Sequence, residues 1–406
     1  MHVVFVEPSF PTNQRHFPLA LKAAGAQVTA IGEAPVEALP ESVRRSLDAY
    51  EQVPSVVHEP SLEHAVRAIQ QRGPVDRLEA TVEAHMMAVA RVREACGIAG
   101  TSVRTTFLCR DKPAMKEALR QAGIPTAQST GATSADEVRS FAATVGYPLI
   151  LKPKDAAGAA GTYRADDEAQ LEQAIRLTRV DRGAPTAVEE FVEGHEAFYD
   201  TLTANGRVVH EFISHYYPNV LEAMRTRWIS PQVITTNRVD AESYREVREL
   251  GRRVIEALGI ETSATHMEWF FGPKGLKFSE IGCRPPGVSV WDLYGAANDL
   301  DLYFEWAKLV TQGHTGERPS RRFAAGMISL RPDRDGTIVA YDGLEPIQRE
   351  LEPYILDMHI PPVGSRTQGI DGGYMANAWI RMRHPDYDEL RRLMDRVGES
   401  VQVRAE

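Results

Sequence analysis

Residues 264–282 read ATHMEWFFGPKGLKFSEIG. Two runs rich in aromatic and β-branched residues flank the turn sequence GPKG, so the stretch predicts a β-hairpin. A loop of Pro273, Lys274 and Gly275 would be a type I turn with the glycine left-handed. In that register Gly272 pairs with Leu276, and Glu268 falls opposite Glu280. Directly opposed residues share a sheet face with Cβ atoms about 5 Å apart. Two carboxylates so placed repel each other unless a cation lies between them. Magnesium suits the position, because it takes one or two carboxylates together with substrate phosphates. Two other readings stay open: a loop one residue different, and a pair of solvated acids on an exposed face. Four residues after Glu280, in EIGCRPPG, comes Arg284.

Working back along the chain, YPLILKPK (147–154) is an apolar strand that ends at Lys152, and DAAGAAGTY (155–163) follows as a loop of small residues. Its Gly158, Ala159, Ala160 and Gly161 let backbone N–H groups approach phosphate oxygens, and a lysine adds a point charge. No G-K-[ST] follows, so this is not a Walker loop. RDKPAMKEALRQAGIPTAQ (110–128) is a punctuated helix. Asp111 caps it, Pro113 suits its first turn and Gly123 stops it. Lys112 stands at its start. In AVEEFVEGHE (187–196) a strand leaves its sheet at Gly194. Its exposed backbone can read the edge of a base, and Glu196 can accept hydrogen bonds from ribose hydroxyls. Taken singly, each segment reads as well as a plain loop, a solvated lysine or an acidic strand end.

In this order the segments resemble the ATP-grasp superfamily, which includes D-alanine–D-alanine ligase, biotin carboxylase, glycinamide ribonucleotide synthetase and the L-amino acid ligases. The resemblance covers essentially the whole chain. It implies that Lys112 and Lys152 hold ATP phosphates, with the 155–162 loop as a lid. It implies that Glu189 and Val192 meet adenine and that Glu196 meets ribose. Glu268 and Glu280 become the metal acids. Arg284 becomes the arginine that steadies an acyl phosphate, with Lys152 beside it in catalysis. The family commonly has asparagine two residues after the second acid, where this chain has Gly282. Either Glu280 bridges two magnesium ions with more water, or one ion binds tightly.

The resemblance implies an ATP-dependent ligase that joins a carboxylate to an amine through an acyl phosphate, releasing ADP and phosphate. Its substrates would be amino acids or small acids, and its cofactors ATP and Mg2+. Candidate substrate contacts are His215, Tyr216, Arg225, Arg227, Arg284 and Trp291. His266 lies on the face of Glu268 and reads as a packed histidine. Two rival readings remain: a bicarbonate-activating or purine-synthesis type of ATP-grasp enzyme, and a nucleotide-binding protein without catalysis.

The remaining observations bound these readings. At 406 residues with 43% hydrophobic content, the chain is long enough for two or three domains and a sizeable core. A formal net charge of −10 argues against non-specific nucleic-acid binding. Cys96, Cys109 and Cys283 are too scattered for a disulfide framework or a zinc site. The N-terminus lacks a signal-peptide pattern, and no apolar run approaches the roughly 18 residues of a membrane span. A cytoplasmic protein without a membrane or nucleic-acid partner is expected, and homodimers are common among the proteins it resembles.

HVVFVEP, HFPLALKAAG and AQVTAIG (2–32) alternate strand, helix and strand, and further alternation runs to about residue 100. The expected fold class is α/β. A doubly wound domain spans 1–105, an ATP-grasp domain 106–318 and a small αβ module 319–406. The first strand lacks a following G-x-G-x-x-G, so a dinucleotide cofactor is not expected.

Overall fold

The computed structural model describes residues 1–153, 161–223, 226, 229–287, 289–368 and 378–406. Among them the strands form four sheets. The first is parallel, in the order Ala49–Gln52, Gln27–Gly32, His2–Val6, Arg77–Glu79. Every residue of His2–Val6 is buried, as its unbroken apolar run requires between two helix layers. Helices His16–Ala23, Glu41–Ser46 and Glu59–Gln70 supply the crossovers, and Met86–Ala95 follows the last strand.

A small antiparallel sheet follows, in the order Ser129–Ala132, Thr186–Glu190, Leu149–Pro153, Tyr163–Ala165. Helices Ala135–Val145 and Glu168–Thr178 bury Val138, Ala142, Leu171 and Ile175 against it.

The centre of the molecule is an eight-stranded antiparallel sheet. Its order is Gly275–Gly282, Ser263–Gly272, His195–Ala204, Arg207–Tyr217, Gln232–Thr235, Ala324–Leu330, Ala378–His384, Ile355–His359. Alternation sorts its side chains between two cores. Tyr199, Ile213 and Met267 pack with Val247, Leu250 and Val254 of helix Arg245–Ala257. Phe198, Phe212 and Tyr216 pack with Leu293 and Tyr294 of helix Val290–Asn298. The turn of the hairpin His195–Tyr217 has positive φ at both Asn205 (49°) and Gly206 (76°), which suits the twist of its strands.

The sequence leads us to expect a small αβ module at 319–406. Its strands Ala324–Leu330, Ala378–His384 and Ile355–His359 continue the central sheet. Outside that sheet, Ile338–Asp342 pairs with Gln402–Ala405.

Candidate active site

The strand register builds one polar sheet face. His266 pairs with Asp200, Glu268 with both Phe198 and Glu280, and Phe270 with Glu196. The three acids Glu196, Glu268 and Glu280 therefore point to the same side. The route to this register differs from the expected one. Gly275 is left-handed as predicted, at φ +75°. However, Gly272 pairs with Gly275 and Phe271 with Leu276, one residue out from the expected pairing. A bulge beside Ser279 then restores Glu268 opposite Glu280.

Lysines approach the acids from the other side. Helix Lys112–Gln121 is capped by Asp111, whose carboxylate accepts from the Ala114 N–H at 3.0 Å. This cap places Lys112 on the first turn, with Nζ 2.8 Å from Glu280 Oε2. Burial pushes the Glu280 carboxyl up, but Lys112 and Lys152 outweigh it and hold the group down at about 2. Lys152 ends its strand with Nζ 3.8 Å from Glu189 Oε2. A third lysine escaped the sequence reading. Lys116 is 1% exposed, and its Nζ lies 2.9 Å from that same Glu189 oxygen. Its signal was its spacing, four residues after Lys112 and hence on the same helix face. Burial raises the Glu189 carboxyl, but Lys116 and Lys152 prevail and hold it at about 2. Glu189 Oε1 is buried and has no hydrogen-bond partner among the described residues.

The segment after Glu189 crosses from the small sheet to the central one. Its approach depends on glycine. A Cβ on Gly194 would stand 2.5 Å from the Phe271 carbonyl oxygen, and one on Gly272 2.1 Å from the Glu193 oxygen. Glu190 and Lys274 form an ion pair across the same contact. Asn219 accepts from the Glu196 N–H at 2.9 Å and donates to the Gly194 carbonyl at 2.7 Å. Glu196 Oε2 accepts from the Val220 N–H at 2.7 Å. Burial, followed by the charge of Glu268, pushes the Glu196 carboxyl up to about 8.

A cavity of about 470 Å3 lies between the two antiparallel sheets, and Lys116, Lys152, Glu189, Val192, Glu196, Glu268 and Glu280 are among its lining residues. Lys112 reaches it through Glu280. Gly161 is described, with φ +68°. Gly158, Ala159 and Ala160 of the expected lid, and Arg225 and Arg227, lie outside the described residues. Arg284 is ion-paired with Glu83 at 2.8 Å, which ties it to the segment after the first sheet.

Two expected substrate contacts are placed away from the cavity. His215 is on the opposite sheet face from Tyr216. Its ring nitrogens lie 2.9 Å from His195 Nε2 and 2.8 Å from the Tyr244 hydroxyl. Burial, together with His195, depresses it to about 3. Trp291 is 5% exposed and packs with Phe17 and Tyr303, because its helix turns that face into the core. Tyr216 is on the cavity side, with its hydroxyl 3.3 Å from Glu268 Oε1.

A hard divalent cation fits this donor set. Three carboxylates converge on one cavity, and burial, followed by the charge of Glu268, pushes one of them, Glu196, toward its protonated form. Among the described residues no group of three or more His, Cys, Asp or Glu stands ready to hold a metal alone. An ion here would complete its shell with water and phosphate oxygens.

Residues 117–298 match the ATP-grasp domain. The L-arginine-specific L-amino acid ligase of Bacillus subtilis is 27% identical over 225 residues, 54% of this chain and 53% of that protein. Alanine–anticapsin ligase of Bacillus subtilis (strain 168) is 25% identical over 227 residues, 51% of this chain and 47% of that protein. The chain thus matches about half the length of these curated relatives. The crystal structure of an L-amino acid ligase from Bacillus licheniformis superposes with a TM-score of 0.76 at 18% identity, covering 100% of this chain and 98% of that one. The chain carries an ATP-grasp domain and has the fold of the ATP-grasp ligases.

Proposed function

We propose that the chain is an ATP-dependent carboxylate–amine ligase that forms ADP and phosphate. What supports this reading most is the meeting of lysines and acids from four segments in one cavity. The lysines suit a triphosphate and the acids a cation. Phosphoryl transfer needs mainly positioning and charge stabilisation, which these groups supply.

In this reading Lys112 and Lys152 bind ATP phosphates, helped by the loop with Gly158, Ala159, Ala160 and Gly161. Glu189 and Val192 meet adenine, and Glu196 meets ribose. Glu268 and Glu280 hold Mg2+, which offsets the charge of the phosphates when bound. A substrate carboxylate oxygen attacks the γ-phosphorus, and the bond from that phosphorus to the β,γ-bridging oxygen breaks. ADP leaves and an acyl phosphate forms. An amine nitrogen then attacks the acyl carbon. Phosphate departs with the carboxylate's oxygen, and the amine gives up a proton. Arg284 steadies the negative charge of this second step. We assign the three-part division at 1–105, 106–318 and 319–406 to this function, with small acids or amino acids and an amine as substrates and the cytoplasm as the protein's location.

The test is a matrix of carboxylic acids against amines, scored by phosphate release and product mass. With the productive acid labelled with 18O in its carboxylate, each released phosphate should carry one labelled oxygen and the nucleotide product should be ADP. AMP with pyrophosphate, or phosphate free of label, would replace this reading with an adenylating mechanism.

A further inference from the structure

Beneath Glu268 runs a line of polar groups that the proposed chemistry does not use. Asp200 sits mid-strand in the central sheet and is 1% exposed. Its Oδ2 accepts from the hydroxyl of Tyr294 at 2.6 Å, and Tyr294 is itself fully buried on helix Val290–Asn298. Its Oδ1 lies 2.7 Å from His266 Nδ1. With Nδ1 committed to Asp200, the ring is fixed and Nε2 is left facing the cavity acid. Nε2 stands 3.7 Å from Glu268 Oε1, the same oxygen that the Tyr216 hydroxyl approaches at 3.3 Å.

We propose that Asp200 and His266, braced by Tyr294, are positioning residues that hold Glu268 by its Oε1 and leave Oε2 for a divalent cation. The inference rests on the reading of Glu268 as a metal acid. Two physical arguments carry it. Replacing a buried ionic pair with well-packed apolar residues is often neutral or stabilising, so stability alone does not explain a carboxylate and an imidazole here. Partners behind a metal ligand commonly fix its orientation, and their loss costs roughly 10- to 100-fold in metal affinity. The strand register makes the arrangement specific. His266 and Glu268 are two residues apart, hence on one face, and Asp200 pairs directly with His266.

The experiment uses the full chain and Mn2+, with bound and free ion distinguished by electron paramagnetic resonance in the presence of a non-hydrolysable ATP analogue. His266→Gln should raise the Mn2+ dissociation constant about 10- to 100-fold. Metal-free binding of the analogue should be unchanged. Tyr294→Phe, which removes one hydroxyl, should shift Mn2+ affinity in the same direction by less. Unchanged Mn2+ affinity in folded His266→Gln would overturn the inference. If that variant does not fold, unchanged affinity in Tyr294→Phe would overturn it instead. Glu268→Gln separates the two levels. If it binds Mn2+ as the wild type does, both the metal reading and this inference fall. If it loses the ion while His266→Gln keeps it, only the inference falls.

Discussion

Lys116 has its ammonium 2.9 Å from a carboxylate that is itself buried. Removing one member of such a pair leaves an uncompensated charge in a poor solvent. Lys116→Met is therefore expected to destabilise the fold by about 3–5 kcal/mol in urea unfolding, and adding Glu189→Gln should recover most of the loss. The same pair has a pH signature. Folding lowers the Glu189 carboxyl from 4.5 to about 2, so its contribution is fully present above pH 4.5 and is lost as pH falls through about 2. The difference in urea midpoint between wild type and Glu189→Gln should shrink across that window, and a constant difference would contradict the assignment. At the cavity, Lys152→Ala and Glu280→Ala should each lower ATP turnover by about 10²–10³ in rate while the protein stays folded. Residues of this kind are legible in sequence because a charge ending an apolar strand is conspicuous. Lys116 is not, since a lysine on a helix reads as solvated until its burial is seen. His215 fails for a different reason. It neighbours Tyr216, and with a strand period of two only one of them can face the cavity.

Elements were legible wherever periodicity and punctuation agreed. The capped helix at Lys112–Gln121, the Asn205–Gly206 turn and the parallel first sheet follow from residue pattern alone. The bulge beside Ser279 shows only as a break in alternation, the buried residues stepping from Leu276 and Phe278 to Ile281. It matters, since a one-residue slip turns every side chain to the other face, and without the bulge Glu280 would leave the cavity. The tip of this hairpin also touches the crossing segment at Gly194, where there is no room for a methyl group. Gly272→Ala should therefore cost about 1–3 kcal/mol through overpacking. Because the added carbon would press on Glu193, it should also raise the KM for ATP more than it changes kcat. Wild-type stability and KM in this variant would show that the two backbones are not packed as described.

At the scale of the whole molecule, the small sheet and the central sheet meet around one cavity, and the Arg284–Glu83 ion pair ties the strand end after Glu280 to the N-terminal segment. Their layering around the cavity could be anticipated from the order of segments. The continuation of the central sheet past residue 320 could not, because a strand's sequence does not name its neighbour. Ala324–Leu330 is buried at all 7 positions, with Gln232–Thr235 on one side and Ala378–His384 on the other. A chain ended at residue 318 would leave the apolar strand Gln232–Thr235 as a bare edge, the kind of surface that recruits other chains. Such a fragment should aggregate on expression. The missing strand can in principle be donated from outside, since strand addition needs only backbone partners and side-chain pockets. Co-expression of 1–318 and 319–406 as two separate polypeptides is therefore expected to give a soluble, co-purifying pair. The chain would thereby become a split protein whose reassembly can be read from solubility alone.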